Sequence, residues 1–96
     1  MSAIGSIGGT QCEIDITISR PESIQLREWH GKATIRHISL KQTIEFDNLF
    51  FAQKPVDVSV NGKHFGEAYI QSVTATDYMQ QRIVEIRFEG NGEPSI

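Results

Sequence analysis

Apolar and polar residues alternate along several stretches of the chain, and each such stretch predicts a β-strand with one buried face. In the first stretch, Ile14, Ile16 and Ile18 are separated by polar residues. Side chains of a strand point to opposite faces in turn, so these three isoleucines share one face. Pro21 ends this strand because proline cannot donate a ladder hydrogen bond. A second regular stretch, Arg82–Glu89, predicts the last strand of the chain.

The most specific local signal is a hairpin in the second half of the chain. Valines alternate with polar residues over Val56–Val60, and Asn61 and Gly62 follow directly. An Asn-Gly pair between two strand patterns favours a type I′ turn, in which both central residues have positive φ. The return strand is expected over His64–Val73, with Gly66 marking a bulge or a close approach of another backbone.

The pattern is less regular between these regions. A strand is predicted over Ile24–Trp29, and a turn over His30–Lys32 leads into a strand over Ala33–Leu40. A further extended segment is predicted over Thr43–Phe46. Within Ala33–Leu40 the apolar residues change from odd-numbered to even-numbered positions. This change indicates a bulge or a break between short strands near Arg36 and His37. Residues 23–29 are the only stretch in which a short helix is the alternative.

These elements predict an all-β domain, a small antiparallel sandwich or partly open barrel of about six or seven strands with at most one short helix. A chain of 96 residues has room for one such domain. Residues 1–10 contain three glycines and show no periodicity, so they are expected to form a flexible arm. Residues 11–90 form the β domain, and residues 91–96 form a C-terminal tail.

Composition restricts the classes of function. The formal net charge is −3, and the nine basic residues are scattered, which argues against specific nucleic-acid binding. No apolar run approaches the length of a membrane helix, and no signal peptide is recognisable, so a cytoplasmic location is the default expectation. The single cysteine, Cys12, permits no intrachain disulfide and is expected to be a small apolar side chain at a strand start.

The chain also lacks the spacings that catalytic and metal sites require. There is no phosphate-binding glycine loop, paired-cysteine zinc motif or nucleophile elbow. His30, His37 and His64 have no second histidine or cysteine at metal-ligand spacing. We therefore expect a protein that is not an enzyme and that holds no cofactor and no metal.

Large apolar residues suggest contacts with other proteins instead. Leu49, Phe50 and Phe51 follow one another, and three large side chains in succession cannot all face one core. Aromatic residues often dominate protein interfaces. The candidate interface residues are Trp29, Phe50, Phe51 and Tyr69.

The segment Gly66–Pro94 resembles the closing hairpin of phage tail tube proteins. In that family a strand of the type G-x-A-Y-I-x-S precedes a polar turn, an alternating strand and a terminal F-x-G-x-G. The matching positions here are Gly66, Ala68, Tyr69, Ile70, Ser72, Phe88, Gly90 and Gly92. The resemblance implies a virion protein that forms hexameric rings around a channel for DNA. Its candidate lumen-facing residues would be Glu85, Arg87 and Glu89.

The segment Lys54–Val73 resembles the SpoA domain of flagellar and type III secretion C-ring proteins. That family carries a P-V-D-x-x-V-N-G hairpin, a G-E strand and an R-I-x-E-I-like end. The matching positions are Pro55, Val56, Asp57, Val60, Asn61, Gly62, Gly66, Glu67, Arg82, Ile83, Glu85 and Ile86. This resemblance implies a dimeric module of a sorting platform.

The sequence therefore predicts a structural protein that self-associates and contacts neighbouring structural proteins, most simply a small phage tail or connector component in a virion. A SpoA-like dimeric module and a small virus-encoded binding or inhibitor protein are the alternatives.

Overall fold

A computed structural model describes residues 2–19, 28–92 and 94 of the chain. Its sheet has six antiparallel strands in the order β1-β2-β3-β6-β5-β4, and β4 pairs with β1 to close a barrel. The elements are β1 Ser2–Ile7, β2 Thr10–Ser19, β3 Glu28–Arg36, α1 Leu40–Ala52, β4 Val56–Val60, β5 Lys63–Tyr78 and β6 Gln81–Gly90. The predicted all-β class, with six strands and one short helix, is confirmed.

Strand β1 corrects the expectation of a flexible N-terminal arm. Its residues pair with β2 on one side and with β4 on the other. Gly8 and Gly9 both have positive φ and form the two-residue turn that leads into β2. The inward positions of β1 include Gly5, where an added Cβ would overlap the carbonyl oxygen of Ser59. Because a glycine occupies a buried position, the alternation that marks a strand is not visible in the sequence.

Strand β3 passes through the predicted turn at residues 30–32 without a break. Gly31 lies at its centre, opposite Ile16 on β2 and Phe88 on β6. A Cβ on Gly31 would overlap the carbonyl oxygen of Asp15 and lie 2.8 Å from the ring of Phe88. This glycine therefore permits close packing within a strand and does not reverse the chain. Residues 20–27, which include most of the predicted second strand or short helix, lie outside the described residues.

Helix α1 replaces the extended segment predicted over residues 43–46. It begins after Ser39, whose hydroxyl accepts a hydrogen bond from the Gln42 amide, while the Gln42 side chain accepts one from the Ser39 amide. This reciprocal capping box satisfies amide groups that the first helical turn leaves without partners. The helix ends at Gln53, which adopts the left-handed conformation that commonly terminates helices.

The bulge or break predicted near Arg36 lies at the junction between β3 and the connection to α1. Strand β3 ends at Arg36, and His37 has a positive φ of 57°. The backbone amide of Ile38 still donates to the carbonyl of Arg82 on β6. The predicted break is therefore present, but a helix follows it where a second short strand was expected.

The predicted Asn-Gly hairpin is confirmed. Asn61 and Gly62 both have positive φ and connect β4 to β5. The ladder shifts register because Val58 pairs with Gly66 while Ser59 pairs with His64. The bulge expected near Gly66 is thus present, and the group that approaches this glycine closely is a side chain, the indole of Trp29.

The barrel interior is filled by apolar side chains from all six strands and from α1. Trp29 is 1% exposed and lies among them, which corrects its assignment as an interface residue. Its indole Nε1 donates to the carbonyl oxygen of Gly92 at 3.0 Å, so the polar edge of the ring has a partner. The buried residues are Ile7, Cys12, Ile14, Trp29, Ala33, Ile35, Ile38, Phe46, Val56, Val58, Phe65, Ala68, Ile70, Val84, Ile86 and Phe88.

Candidate docking surface

Helix α1 packs with one face against the barrel and exposes large apolar side chains beside that face. Thr43 and Phe46 are buried, and Leu49 and Phe50 are partly buried against the core. Phe51 is 78% exposed, and its ring centroid lies 5.3 Å from that of Phe50. The apolar surface is therefore continuous from the core to the outside of the helix.

Three exposed apolar residues of α1 form one stripe. Leu40 is 61% exposed and Ile44 is 48% exposed, and both lie on the same side of the helix as Phe51. Successive helical residues rotate by about 100°, so positions 40, 44 and 51 fall within about 40° of one another. We call these three residues the α1 stripe. Asp47 lies between Ile44 and Phe51 on this side of the helix, so the stripe is apolar at its two ends and carries a carboxylate between them. Several exposed apolar residues on one side of a helix are nevertheless more typical of interaction sites than a single one is.

The stripe continues towards the hairpin formed by β5 and β6. Leu40 borders a shallow cleft together with Asp77, Gln80 and Arg82. An ion pair of 3.3 Å between Arg82 Nε and Asp77 Oδ1 joins the two strands of the hairpin near its turn. Met79 in that turn is 77% exposed. The first turn of α1 and the end of the hairpin thus belong to one side of the molecule.

The other predicted interface residue, Tyr69, lies on β5. It is half-buried and pairs with Glu89 on β6. Since its neighbours Ala68 and Ile70 are buried in the barrel, its side chain lies on the outer face of the sheet.

The three candidate lumen residues lie on the outer face of β6, between the inward positions Val84, Ile86 and Phe88. Arg87 forms a 3.3 Å ion pair with Glu85. Glu89 lies opposite His30 on β3. These strands therefore present an outward surface on which acidic and basic groups are paired.

Neighbouring strands extend this mixture of charges. Lys32 on β3 lies opposite both Arg87 on β6 and Asp15 on β2. Farther along, Arg36 and Glu13 form an ion pair of 3.6 Å. Since both partners are about half exposed, this pair contributes little to stability. The surface is of mixed sign, in contrast to the acidic wall that a DNA channel would favour.

Cys12 lies in β2 and is buried in the core. Burial raises the pKa of its thiol from the ordinary 9.0 to about 11, because removal from water disfavours the thiolate. A nucleophilic cysteine requires the opposite shift. The geometry is that of a small apolar core residue.

The three histidines lie far from one another in the fold. His30 is on β3, His37 is in the connection to α1, and His64 is near the start of β5; all three are exposed. Among the described residues, no three His, Cys, Asp or Glu side chains are grouped closely enough to hold a metal ion. Within the same ranges, no helix is both long enough and apolar enough to span a membrane.

Sequence reasoning named Phe50 and Phe51 as candidates but missed Leu40 and Ile44, which share the α1 stripe with Phe51. Leu40 and Ile44 were assigned to extended segments, in which they would not share a surface with Phe51. The signal that could have revealed the stripe is the capping pattern of Ser39 and Gln42 before an apolar run. Once a helix begins there, the spacings of four and seven residues place the three side chains together.

No protein-family model matches the chain, and no curated protein matches it significantly in sequence.

Proposed function

We propose that this protein is a non-enzymatic structural module that associates with further copies of itself, as a small tail or connector component of a phage virion. The observation that carries the proposal is the α1 stripe. It exposes three large apolar side chains on the outside of a helix that already has its own buried face.

The geometry of the stripe favours a protein partner. Phe51 contacts the ring of Phe50, which packs against the core, while most of its own surface faces solvent. Aromatic residues often provide most of the binding energy of an interface. Burial of one such side chain contributes about 1.5–3 kcal/mol.

A second copy of the chain is the partner that requires the fewest assumptions. Self-association through a two-fold contact places the same apolar stripe on both sides, and an apolar surface is complementary to itself. The formal charge of −3 is small enough that repulsion between copies does not oppose the contact strongly at physiological ionic strength.

The hairpin of β4 and β5 favours a second candidate, a dimeric module similar to the SpoA domain. The P-V-D-x-x-V-N-G pattern of residues 55–62 forms the strand and type I′ turn that this resemblance implies. Both candidates share self-association and differ in the size of the assembly. Rings or tubes support the tail component, whereas a dimer that does not assemble further supports the secretion-type module.

Molecular mass in solution tests the proposal. Sedimentation equilibrium over a wide concentration range is expected to show reversible self-association of the wild-type protein. Phe51→Glu should shift the protein to a folded monomer, with unchanged far-ultraviolet circular dichroism. The control is Ile4→Lys, since Ile4 is also exposed, lies on β1 and faces Glu13 across the ladder, so the new charge has an opposite partner.

A wild-type protein that stays monomeric at all concentrations would overturn the proposal. Binding of a different protein by such a monomer, with loss of binding in Phe51→Glu, would support a virus-encoded inhibitor instead. Electron microscopy of concentrated protein distinguishes rings and tubes from dimers.

A further inference from the structure

Strand β5 extends well beyond its neighbour β4, whereas β6 is paired with β3 nearly to its first residue. Strand β4 pairs with β5 only as far as the Val56–Ala68 pair. From Tyr69 to Tyr78, within the described residues, β5 pairs with β6 alone. Thr74, Ala75, Thr76 and Asp77 are all exposed, so neither α1 nor another strand covers this part. We call Thr74–Tyr78 the outer edge of β5.

The outer edge of β5 lacks features that normally prevent edge-to-edge association. Natural edge strands carry lysine, proline, bulges or inward charges that discourage another strand from pairing. Residues 69–78 contain no lysine, arginine, proline or glycine, and Asp77 is their single charged residue. The register shift in the pairing of β5 with β6, at Gln71, precedes the outer edge and leaves it regular.

The turn at the end of the hairpin adopts an unfavourable conformation for its residues. Met79 and Gln80 have φ values of 49° and 66°, a region that glycine and asparagine adopt far more readily. Met79 also places an apolar side chain in solvent. Backbone strain combined with an exposed apolar group is typical of sites that contact a partner.

We propose that the outer edge of β5 pairs in antiparallel orientation with the same edge of a second copy, across a two-fold axis. This inference rests on the proposed self-association and specifies its contact. The two hairpins would then form one continuous sheet, in which backbone amides and carbonyls of one copy bond to those of the other.

The charge pattern permits this pairing. In a symmetric ladder centred on Ala75, Asp77 of one copy lies opposite Val73 of the other. Centres at Thr74 or Thr76 place it opposite Gln71 or Ala75, so in none of these registers do two carboxylates face each other. Like charges directly opposite would destabilise the ladder.

The same arrangement gives Met79 a place to pack. With the ladder centred on Ala75, Met79 of one copy lies beside Gln71 of the other. A two-fold ladder closes a dimer, so rings or tubes would be built from such dimers through a second contact and would contain an even number of copies.

Disulfide trapping tests the register directly. In a Cys12→Ala background, single cysteines are introduced by Thr74→Cys, Ala75→Cys and Thr76→Cys, and the protein is oxidised mildly. Two symmetric cysteines can bridge only when their Cα atoms lie about 4.4–6.8 Å apart. We expect covalent dimers to form at one of these positions far more efficiently than at Thr17→Cys, an exposed control position on β2.

Amide hydrogen exchange provides a readout that needs no substitution. Amides of the outer edge that point away from β6 should exchange at least tenfold more slowly at high protein concentration than at low concentration. Thr76→Lys should remove this protection and weaken dimerisation at least tenfold, while Thr17→Lys should leave both unchanged.

The two proposals fail in different ways. If the wild-type protein self-associates but the outer edge forms no disulfide and gains no protection, the strand pairing is wrong and the structural role stands. If the protein remains monomeric, both proposals are wrong.

Discussion

The indole of Trp29 lies directly against Gly90, and a methyl group at position 90 would overlap the Nε1 and Cε2 atoms of the ring. The same ring makes edge contacts with Phe65 and Phe88, at centroid distances of 4.9 and 6.0 Å. Its Nε1 donates to the carbonyl of Gly92. Strand β3 is thus joined to β5, to β6 and to the segment after β6 by one side chain.

Gly90→Ala should therefore lower the free energy of unfolding by about 2–3 kcal/mol, because the indole must leave its position to admit the methyl group. Urea unfolding followed by circular dichroism measures the change. In a Trp29→Phe background, the same alanine should lower the free energy of unfolding by less than about 1 kcal/mol, since the smaller ring leaves space. An equal loss in both backgrounds would show that contact with the indole is not the cause.

Two phenylalanines of α1 should respond very differently to truncation. Phe46→Ala removes a buried ring and should lower the free energy of unfolding by about 3–4 kcal/mol. Phe51→Ala removes an exposed ring and should change it by no more than about 0.5 kcal/mol in dilute solution. Both substitutions lie in the same helix and have the same intrinsic effect on helix formation, so their difference reports burial. Similar losses for the two variants would contradict the described helix orientation.

The buried thiol of Cys12 should make stability depend on pH at alkaline values. Its pKa is about 11 in the folded protein, above its ordinary 9.0, so the folded state retains a proton that the unfolded chain releases. The stabilising contribution is complete below pH 9 and is lost as the pH rises towards 11, by on the order of 2 kcal/mol.

Urea unfolding of the wild-type protein and of Cys12→Ala at a series of pH values isolates this contribution. The stability difference between the two proteins should be constant at neutral pH and should shift against the wild type above pH 9. A difference that stays constant to pH 11 would show that the thiolate is as well solvated in the folded state as in the unfolded chain.

The turn between β5 and β6 can be improved by residues suited to positive φ. Met79→Asn combined with Gln80→Gly should raise the free energy of unfolding by about 1 kcal/mol, because it relieves the left-handed conformation of two ordinary residues. The reverse exchange at the other hairpin, Asn61→Met with Gly62→Gln, should lower it. Thermal unfolding in dilute solution measures the stability of both variants. A loss of stability on introducing Asn and Gly at positions 79 and 80 would contradict the described turn.

Local sequence patterns predicted the strands with the strongest alternation. The valines of β4, the isoleucines of β2 and the apolar positions of β6 mark strand faces without reference to the rest of the chain. The Asn61-Gly62 turn was equally evident, because its chemistry depends on two adjacent residues. For the candidate docking surface, the run of large apolar residues indicated only that its members could not all face one core; Phe51 is exposed and Phe50 is partly buried.

Other features depend on contacts between distant segments. Strand β1 exists because β2 and β4 supply partners on both sides, and Gly5 and Gly31 fit where other strands approach too closely for a side chain. Trp29 looks like a surface anchor in isolation, and it is buried only because Gly66 and Gly90 leave space for its ring. Helix α1 was not predicted because residues 43–46 alternate locally as the residues of a strand would.

The sequence by itself determined the all-β class and the positions of its clearest strands, because alternation and turn chemistry act between near neighbours. Only the tertiary structure decided that the sheet closes into a barrel, that residues 2–7 form one of its strands, and that Trp29 is buried. The physical reason is that strand pairing and the space around a glycine are set by residues far apart in the chain, and no local pattern encodes those distances.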